Sequence, residues 1–464
     1  MTSLETSPTA PSNLPHVLPR VLSASNAMAI VVGIIIGSGI FLVPREMMAA
    51  VGSSRMVYAV WIAGGLLSLF GAMSYAEVAA MKPRVGGEYA FLLDAYGPMT
   101  AFLYTWTWTT IAKPATIATI AAGLMRVLGT FSALSFLTHE AFLHLLWSQV
   151  LAIVATWLIT GLNIVSTLES SNVQTVLTWL KVLMIVVIAG FCFTSLKHGD
   201  WHNFTTGFAG ARGGFAGFMV ALIAALWAYD GWSDVTQMAG EVKHPQRSLP
   251  LALVGGVAIV GALYMLTNAA IQYVLPAAAI AGAERPAADA LRLVAGNLGA
   301  ALVSVGMAVS IAATFVGSSL SGARVPFAAA QDKLFPSVLA RIHPRFQTPW
   351  ASLVMQAVIS SLLLLAIDRF QALFSLAIFS EWAFYALTAA TVFVFRVREP
   401  EMPRPYRVTG YPVVPALFIL AALVLLVFSF MDQPRNSFAG AIVILCGIPL
   451  HLWFQHRAAR NIEV

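Results

Sequence analysis

Charge is scarce in this 464-residue sequence: Asp, Glu, Lys and Arg make up 10% of it, against about 25% in an ordinary soluble protein. With 59% hydrophobic residues and a mean hydropathy of +0.81, the chain has too few charges to cover a soluble fold of its length. It reads as a polytopic membrane protein. Cysteine is scarcer still. Cys192 and Cys446 both fall in apolar spans and read as packing residues, not as a disulfide or a metal site. The first 20 residues are polar and rich in Ser, Thr and Pro, without the short apolar core of a cleavable signal. There is no cluster of metal ligands, no phosphate loop and no nucleophile elbow, so neither an enzyme nor a cofactor is expected. A net charge of +6 is too modest to suggest nucleic acid.

What is abundant is apolar runs. At about 20 residues per crossing, the sequence divides into twelve spans, near residues 22–49, 55–81, 97–128, 142–163, 171–196, 213–240, 248–274, 294–330, 350–367, 372–397, 412–431 and 437–456. An even number puts both termini on one side. Lys and Arg concentrate in the loops of that side, including Lys82, Arg84, Lys243, Arg247, Arg324, Arg404 and Arg407. The positive-inside bias makes it the cytoplasmic side of a cell (inner) membrane protein. The N-terminal tail is expected to be disordered at its start.

Two spans are interrupted. In the first, Ile34-Ile-Ile-Gly-Ser-Gly-Ile-Phe41 places Gly37 and Gly39 around Ser38 at mid-membrane depth. Glycine is a poor interior helix residue, and unwound backbone survives in hydrocarbon only where it lines a cavity or meets a ligand. A close-packed helix face would also use such glycines. The sixth span carries the second break, Ala225-Leu-Trp-Ala-Tyr-Asp-Gly-Trp-Ser-Asp234. The breaks occupy corresponding positions in spans 1–5 and 6–10. Paired breaks of this kind point to an inverted-repeat transporter with a midplane site.

Four segments carry a family resemblance: Gly33–Phe41; Gly86-Gly-Glu-Tyr89 leading to Tyr96-Gly97; Trp227–Trp232, followed by Glu241 and Pro245-Gln-Arg-Ser-Leu-Pro250; and Ser321-Gly-Ala-Arg324, followed by Pro336 and His343-Pro344. The chain resembles the amino acid–polyamine–organocation superfamily, and within it a stand-alone, bacterial-type member of the L-type amino acid transporters. The resemblance implies an all-α membrane fold of 12 transmembrane helices, in which five plus five form an inverted repeat with helices 1 and 6 unwound at mid-membrane and two more follow. The corresponding divisions are a tail over 1–20, repeats over 21–200 and 201–400, and a C-terminal pair over 401–464. Light subunits of the heteromeric transporters carry a cysteine between spans 3 and 4 that bridges to a heavy chain. Val127–Ala141 has none, so no disulfide-linked heavy chain is expected.

The expected substrates are L-amino acids, neutral ones with cationic ones left open. Both charged groups of an amino acid are costly to desolvate, and a broken helix offers amides at one half and carbonyls at the other. The amides of Ser38 and Gly39 suit the carboxylate, and the carbonyls near Ile35, Trp227 and Asp230 suit the ammonium. The resemblance assigns Ile35, Gly37, Ser38, Gly39, Trp227, Asp230 and Ser233 to the substrate, with Trp227 as a gate.

Lys181, deep in the fifth span, reads as functional. The resemblance places it in the space of a coupling cation, touching the first helix, with Ser318, Ser319 or Ser321 as hydroxyl partners. Lys113, before Pro114, is either a structural pairing group or a pocket residue. Asp230 either selects dibasic side chains, caps the second half-helix, or pairs with Lys113. Glu77, Glu88 and Glu381 read as loop or intracellular-gate charges. The resulting expectation is a sodium-independent amino acid exchanger working by alternating access, with a proton-coupled amino acid or polyamine transporter as the alternative.

Overall fold

The computed structural model describes residues 18–142, 145–366, 370–432 and 434–460; most of the tail expected over 1–20 lies outside them. The chain runs α1 (Ala24–Ile35), α2 (Gly39–Val51), α3 (Ser54–Met81), α4 (Glu88–Tyr96), α5 (Pro98–Thr107), α6 (Lys113–Leu128), α7 (Trp147–Val165), α8 (Thr167–Thr194) and α9 (Gly214–Ala228). It continues through α10 (Asp234–Gln237), α11 (Pro245–Pro250), α12 (Gly256–Val274), α13 (Ala277–Gly282), α14 (Pro286–Gly322), α15 (Arg324–Gln331), α16 (Trp350–Ala366), α17 (Phe370–Arg398), α18 (Val413–Asp432) and α19 (Pro434–Arg460). A small hairpin, β1 (Glu140–Phe142) with β2 (Leu145–Leu146), precedes α7.

Each expected span coincides with a helix or a helix pair. Among the described residues, eight are long and apolar enough to cross a membrane, and the bent pair α1–α2 makes nine. Residues 214–228 and 350–365 form shorter apolar helices. Two boundaries move. The fourth span begins at Trp147, not 142, because the preceding residues pair as the hairpin. The eighth begins at Pro286, whose ring suits a helix start, and bends at Ala295–Gly296, where Gly296 has a φ of 63°.

Helix α8 shows the solvent for which the fold is built. Gln174, Thr178, Lys181, Ile185, Ile188 and Cys192 share a buried face, while Val176, Leu180, Leu183, Val187 and Phe191 are exposed. Polar groups inside and aliphatic groups outside reverse the soluble pattern. Two π-helical turns, Trp108–Ala112 and Leu251–Gly255, adjoin Pro114 and Pro250. Proline supplies no amide to the carbonyl four residues earlier, which for Pro114 is Thr110, inside the first of these turns.

Candidate functional site

Both interruptions are present, and they face each other. Helix α1 ends at Ile35, and α2 resumes at Gly39 with a bend of 40°. The departure occurs at Ile36 (φ −74°, ψ 84°). Neither Gly37 nor Gly39 uses a left-handed φ, so Gly39 acts through space: a Cβ there would lie 3.2 Å from the backbone Cα of Ala228. The second break depends on conformation. Gly231 has a φ of +99°, and a Cβ on it would come within 2.4 Å of Ile34 Cγ2. Only glycine suits that turn.

The carbonyls freed by the first break are collected by side chains from three helices. Lys181 Nζ donates to Gly33 O at 2.7 Å, Ile36 O at 2.7 Å and Ser310 O at 3.1 Å. Ser310 Oγ donates to Ile36 O at 2.8 Å, and Thr314 Oγ1 reaches Gly33 O at 3.1 Å. The Tyr264 hydroxyl lies within donating distance of Ile35 O (3.0 Å) and Ala228 O (2.6 Å), tying the two breaks together. The first amides of α2 have no intrahelical acceptor, because the helix starts there.

Between the breaks lies a cavity of about 110 Å3. At roughly 10–15 Å3 per water by this measure, it has room for a small molecule of amino acid size. Its wall contains Ile35, Gly37, Ser38, Gly39, Trp227, Asp230 and Ser318, all singled out from the sequence. It also contains Lys113, Asp234, Thr314, Glu381 and Tyr385. Asp230 Oδ1 accepts from the Tyr385 hydroxyl at 2.9 Å. Lys113 pairs with Asp234, which also accepts from Ser321 Oγ at 2.6 Å.

Several expectations change. Ser233 does not line the cavity: beyond Gly231 the chain turns it inward, and its hydroxyl donates to Tyr385 Oη at 3.4 Å. Lys181 stands behind the first break, outside the cavity wall. Its partner on α14 is Ser310 O, about two turns before Ser318, the first of the serines expected. Ser318 lines the cavity with its hydroxyl unpartnered among the described residues, and Ser321 serves Asp234 instead. Lys113 is both a paired group and a cavity residue. Asp230 neither pairs with it nor caps α10, whose N-cap residue is Ser233. The Ile35 and Trp227 carbonyls already accept from Gly37 N (2.8 Å) and Asp230 N (3.1 Å), so an ammonium there would share them.

Of the three glutamates, only Glu77 behaves as a gate charge, bound by Arg396 (2.7 Å) and the Val408 amide (2.7 Å). Glu381 is not a loop charge. It lies one turn before Tyr385 on α17, and both residues line the cavity. Glu88 is fully buried, both carboxylate oxygens lack partners among the described residues, and it lines a void of about 10 Å3 that shares Glu381 and Tyr385 with the main cavity. Asp234 closes the segment already read as the second break. Tyr264 and Thr314 carried no sequence signal, because a hydroxyl in an apolar span reads as packing.

Around Leu22, ahead of α1, polar contacts tie the elements together. Arg324, fully buried, holds Glu241 through Nε at 2.8 Å and Nη2 at 3.0 Å, and donates to Thr167 Oγ1 at 2.9 Å. Leu22 pairs with the backbone of Glu241 and Lys243. Farther out, Arg84 binds Asp94 and Asp332, and Lys82 binds Asp94 and Glu399.

The amino acid permease family profile matches residues 22–449. The serine/threonine exchanger SteT of Bacillus subtilis is 33% identical over 93% of this chain and 96% of its own length. The human cystine/glutamate transporter is 29% identical over 94% of the chain and 85% of its own length. The human b(0,+)-type amino acid transporter 1 is 27% identical over 95% and 88%. A cavity between two facing helix breaks, in a chain that matches from its first helix nearly to its last, therefore places this protein in the amino acid permease family, as a multi-pass membrane transporter of amino acids.

Proposed function

We propose that the protein is a sodium-independent amino acid exchanger that works by alternating access. The observation that carries the reading is Lys181. Its ammonium sits among three carbonyl oxygens of the first break and α14, a shell of the kind a bound cation would take. A tethered cation there makes an ion from solution unnecessary. Exchange is also the activity in the name of the Bacillus relative, which matches nearly the whole chain.

In this reading the α-carboxylate rests on the amides of Ser38 and Gly39 at the positive end of α2. The α-ammonium shares carbonyls of the two breaks. Trp227 closes over the substrate from the far side, its ring edge 3.5 Å from where a Cβ on Gly39 would stand. Release on the side of the termini then requires the Arg324–Glu241–Thr167 cluster to part. The charge bias of the loops supports a cytoplasmic position for that side, in a protein read as one of the cell membrane. The two breaks head repeats over 21–200 and 201–400, with 401–464 as an added pair, and no disulfide-linked heavy chain takes part.

The test is counterflow in proteoliposomes. Preloaded L-serine should accelerate entry of labelled L-serine equally in sodium and in choline buffer. Sodium dependence, or accumulation driven by a pH gradient without internal amino acid, would overturn exchange in favour of ion-coupled uptake.

A further inference from the structure

The charges in the cavity wall do not balance. Lys113 is the cation there, and Asp234 already neutralises it. Asp230 has a hydrogen bond from Tyr385 but no cation. Glu381 has neither. Its residue is 9% exposed, and its carboxylate takes no hydrogen bond among the described residues. A carboxylate so enclosed is costly unless it meets a donor or a cation. Among the described residues, no donor on α17 or on the helices packed against it bonds the Glu381 carboxylate, and the one cation those helices bring to the cavity is Lys113 on α6. The acidic groups near it are Asp230, Asp234 and Glu88, and Lys113, the cation facing the same cavity, is held by Asp234.

The position is as informative as the charge. The backbone donors and acceptors that suit an α-amino acid's own charges lie in the two breaks. Glu381 belongs to neither break: it lines the cavity from α17, one turn before Tyr385, whose hydroxyl donates to Asp230 at 2.9 Å. The rest of the lining near the breaks is apolar or hydroxylic: Ile120, Ile311, Thr116, Thr119 and Gly123. A substrate anchored at the breaks would therefore present its side chain to a wall in which one uncommitted charge stands out.

We infer that Glu381 is a specificity residue that holds a second cationic group, so that the preferred substrates are amino acids with a primary amine or guanidinium at the end of the side chain. This rests on the amino acid transport reading above and adds the side-chain class. Glu381 supplies the ion pair, and Asp230, fixed by Tyr385, adds negative potential from the side of the breaks. A paired charge in a largely enclosed site discriminates strongly against a neutral isostere, because the unpaired carboxylate would remain buried.

The experiment uses the full chain in proteoliposomes and two ligands that differ by one group. L-Lysine and L-norleucine share a four-carbon side-chain stem, and only lysine carries the ammonium. Inhibition of labelled L-lysine counterflow should require at least tenfold more norleucine than unlabelled lysine. In Glu381→Gln the ratio of kcat/KM for lysine to that for norleucine should fall at least tenfold, and Glu381→Asp should recover part of it. The wild-type comparison needs no variant, so a poorly folded Glu381→Gln does not decide the matter. If wild type exchanges serine or leucine but lysine competes no better than norleucine, the inference fails while amino acid transport stands. If no amino acid is exchanged, the transport reading fails and the inference with it. An unchanged selectivity ratio in well-folded Glu381→Gln also overturns it.

Discussion

Replacing Lys181 by methionine keeps the stem and removes the ammonium, and the structure sets the size of the effect. Three hydrogen bonds are lost, to Gly33 O, Ile36 O and Ser310 O. A hydrogen bond from a charged donor contributes about 1.5–3 kcal/mol, which sets an upper range near 4–9 kcal/mol for the three together. Two terms reduce it. The buried amine no longer has to be desolvated, and the carbonyls keep other donors: Ser310 Oγ still reaches Ile36 O at 2.8 Å, and the one proton of Thr314 Oγ1 can serve Gly33 O at 3.1 Å or Ser310 O at 3.2 Å. A net loss of about 3 kcal/mol in the ordering of the first break remains, or roughly a hundredfold at 1.4 kcal/mol per decade. Lys181→Met should therefore reach the membrane in near-normal amounts and exchange amino acids about a hundredfold more slowly. Quantitative immunodetection alongside counterflow separates the two. Wild-type turnover in Lys181→Met would refute the idea that this ammonium organises the site, and loss of the protein itself would show that it serves folding instead.

Trp227→Ala should lose at least tenfold in exchange rate while the protein stays abundant, because the ring lines the cavity; a purely packing role would lower abundance instead. Tyr264→Phe removes the hydroxyl shared by Ile35 O and Ala228 O, worth about 1 kcal/mol, and should slow exchange several-fold with little change in thermal stability of the detergent-solubilised protein. Arg324→Ala leaves Glu241 buried without its cation, a loss of roughly 3–5 kcal/mol. It should lower the melting temperature and abundance sharply, and Arg324→Lys should rescue only part of this because one ammonium cannot reproduce the fork.

Much of this arrangement was legible in the sequence, and the reasons differ by element. The spans follow from length and hydropathy, because hydrocarbon demands unbroken helices and tolerates few charges. The breaks announced themselves through Gly37, Gly39 and Gly231. Glycine served a different end at each, close approach at Gly39 and a left-handed turn at Gly231, and sequence alone does not separate the two. Lys181 stood out because a lysine at that depth needs a reason. Glu381 was misread because the pattern gives depth only coarsely and gives no facing across the bundle. Ser233 lies two residues past the left-handed Gly231 and is buried with its hydroxyl on Tyr385, a placement that depends on how the turn folds. Asp230 and Asp234 lie in the same break, and which of them takes Lys113 depends on how the turn folds.

The contacts around Leu22, Glu241 and Arg324 include ions and a hydroxyl as well as apolar packing, and this bears on the reversibility of the cycle. Were the seal apolar, each opening toward that side would wet hydrocarbon surface, and the protein would rest almost permanently shut there. When Arg324, Glu241, Arg84 and Asp332 part, water enters and solvates them. An ion pair exchanged for hydration differs by only about 0–1 kcal/mol at an exposed site, though Arg324 and Glu241, buried while the seal is shut, give up more. The outer pairs therefore add little to the difference between shut and open, and Arg324 with Glu241 carries most of what holds that face together.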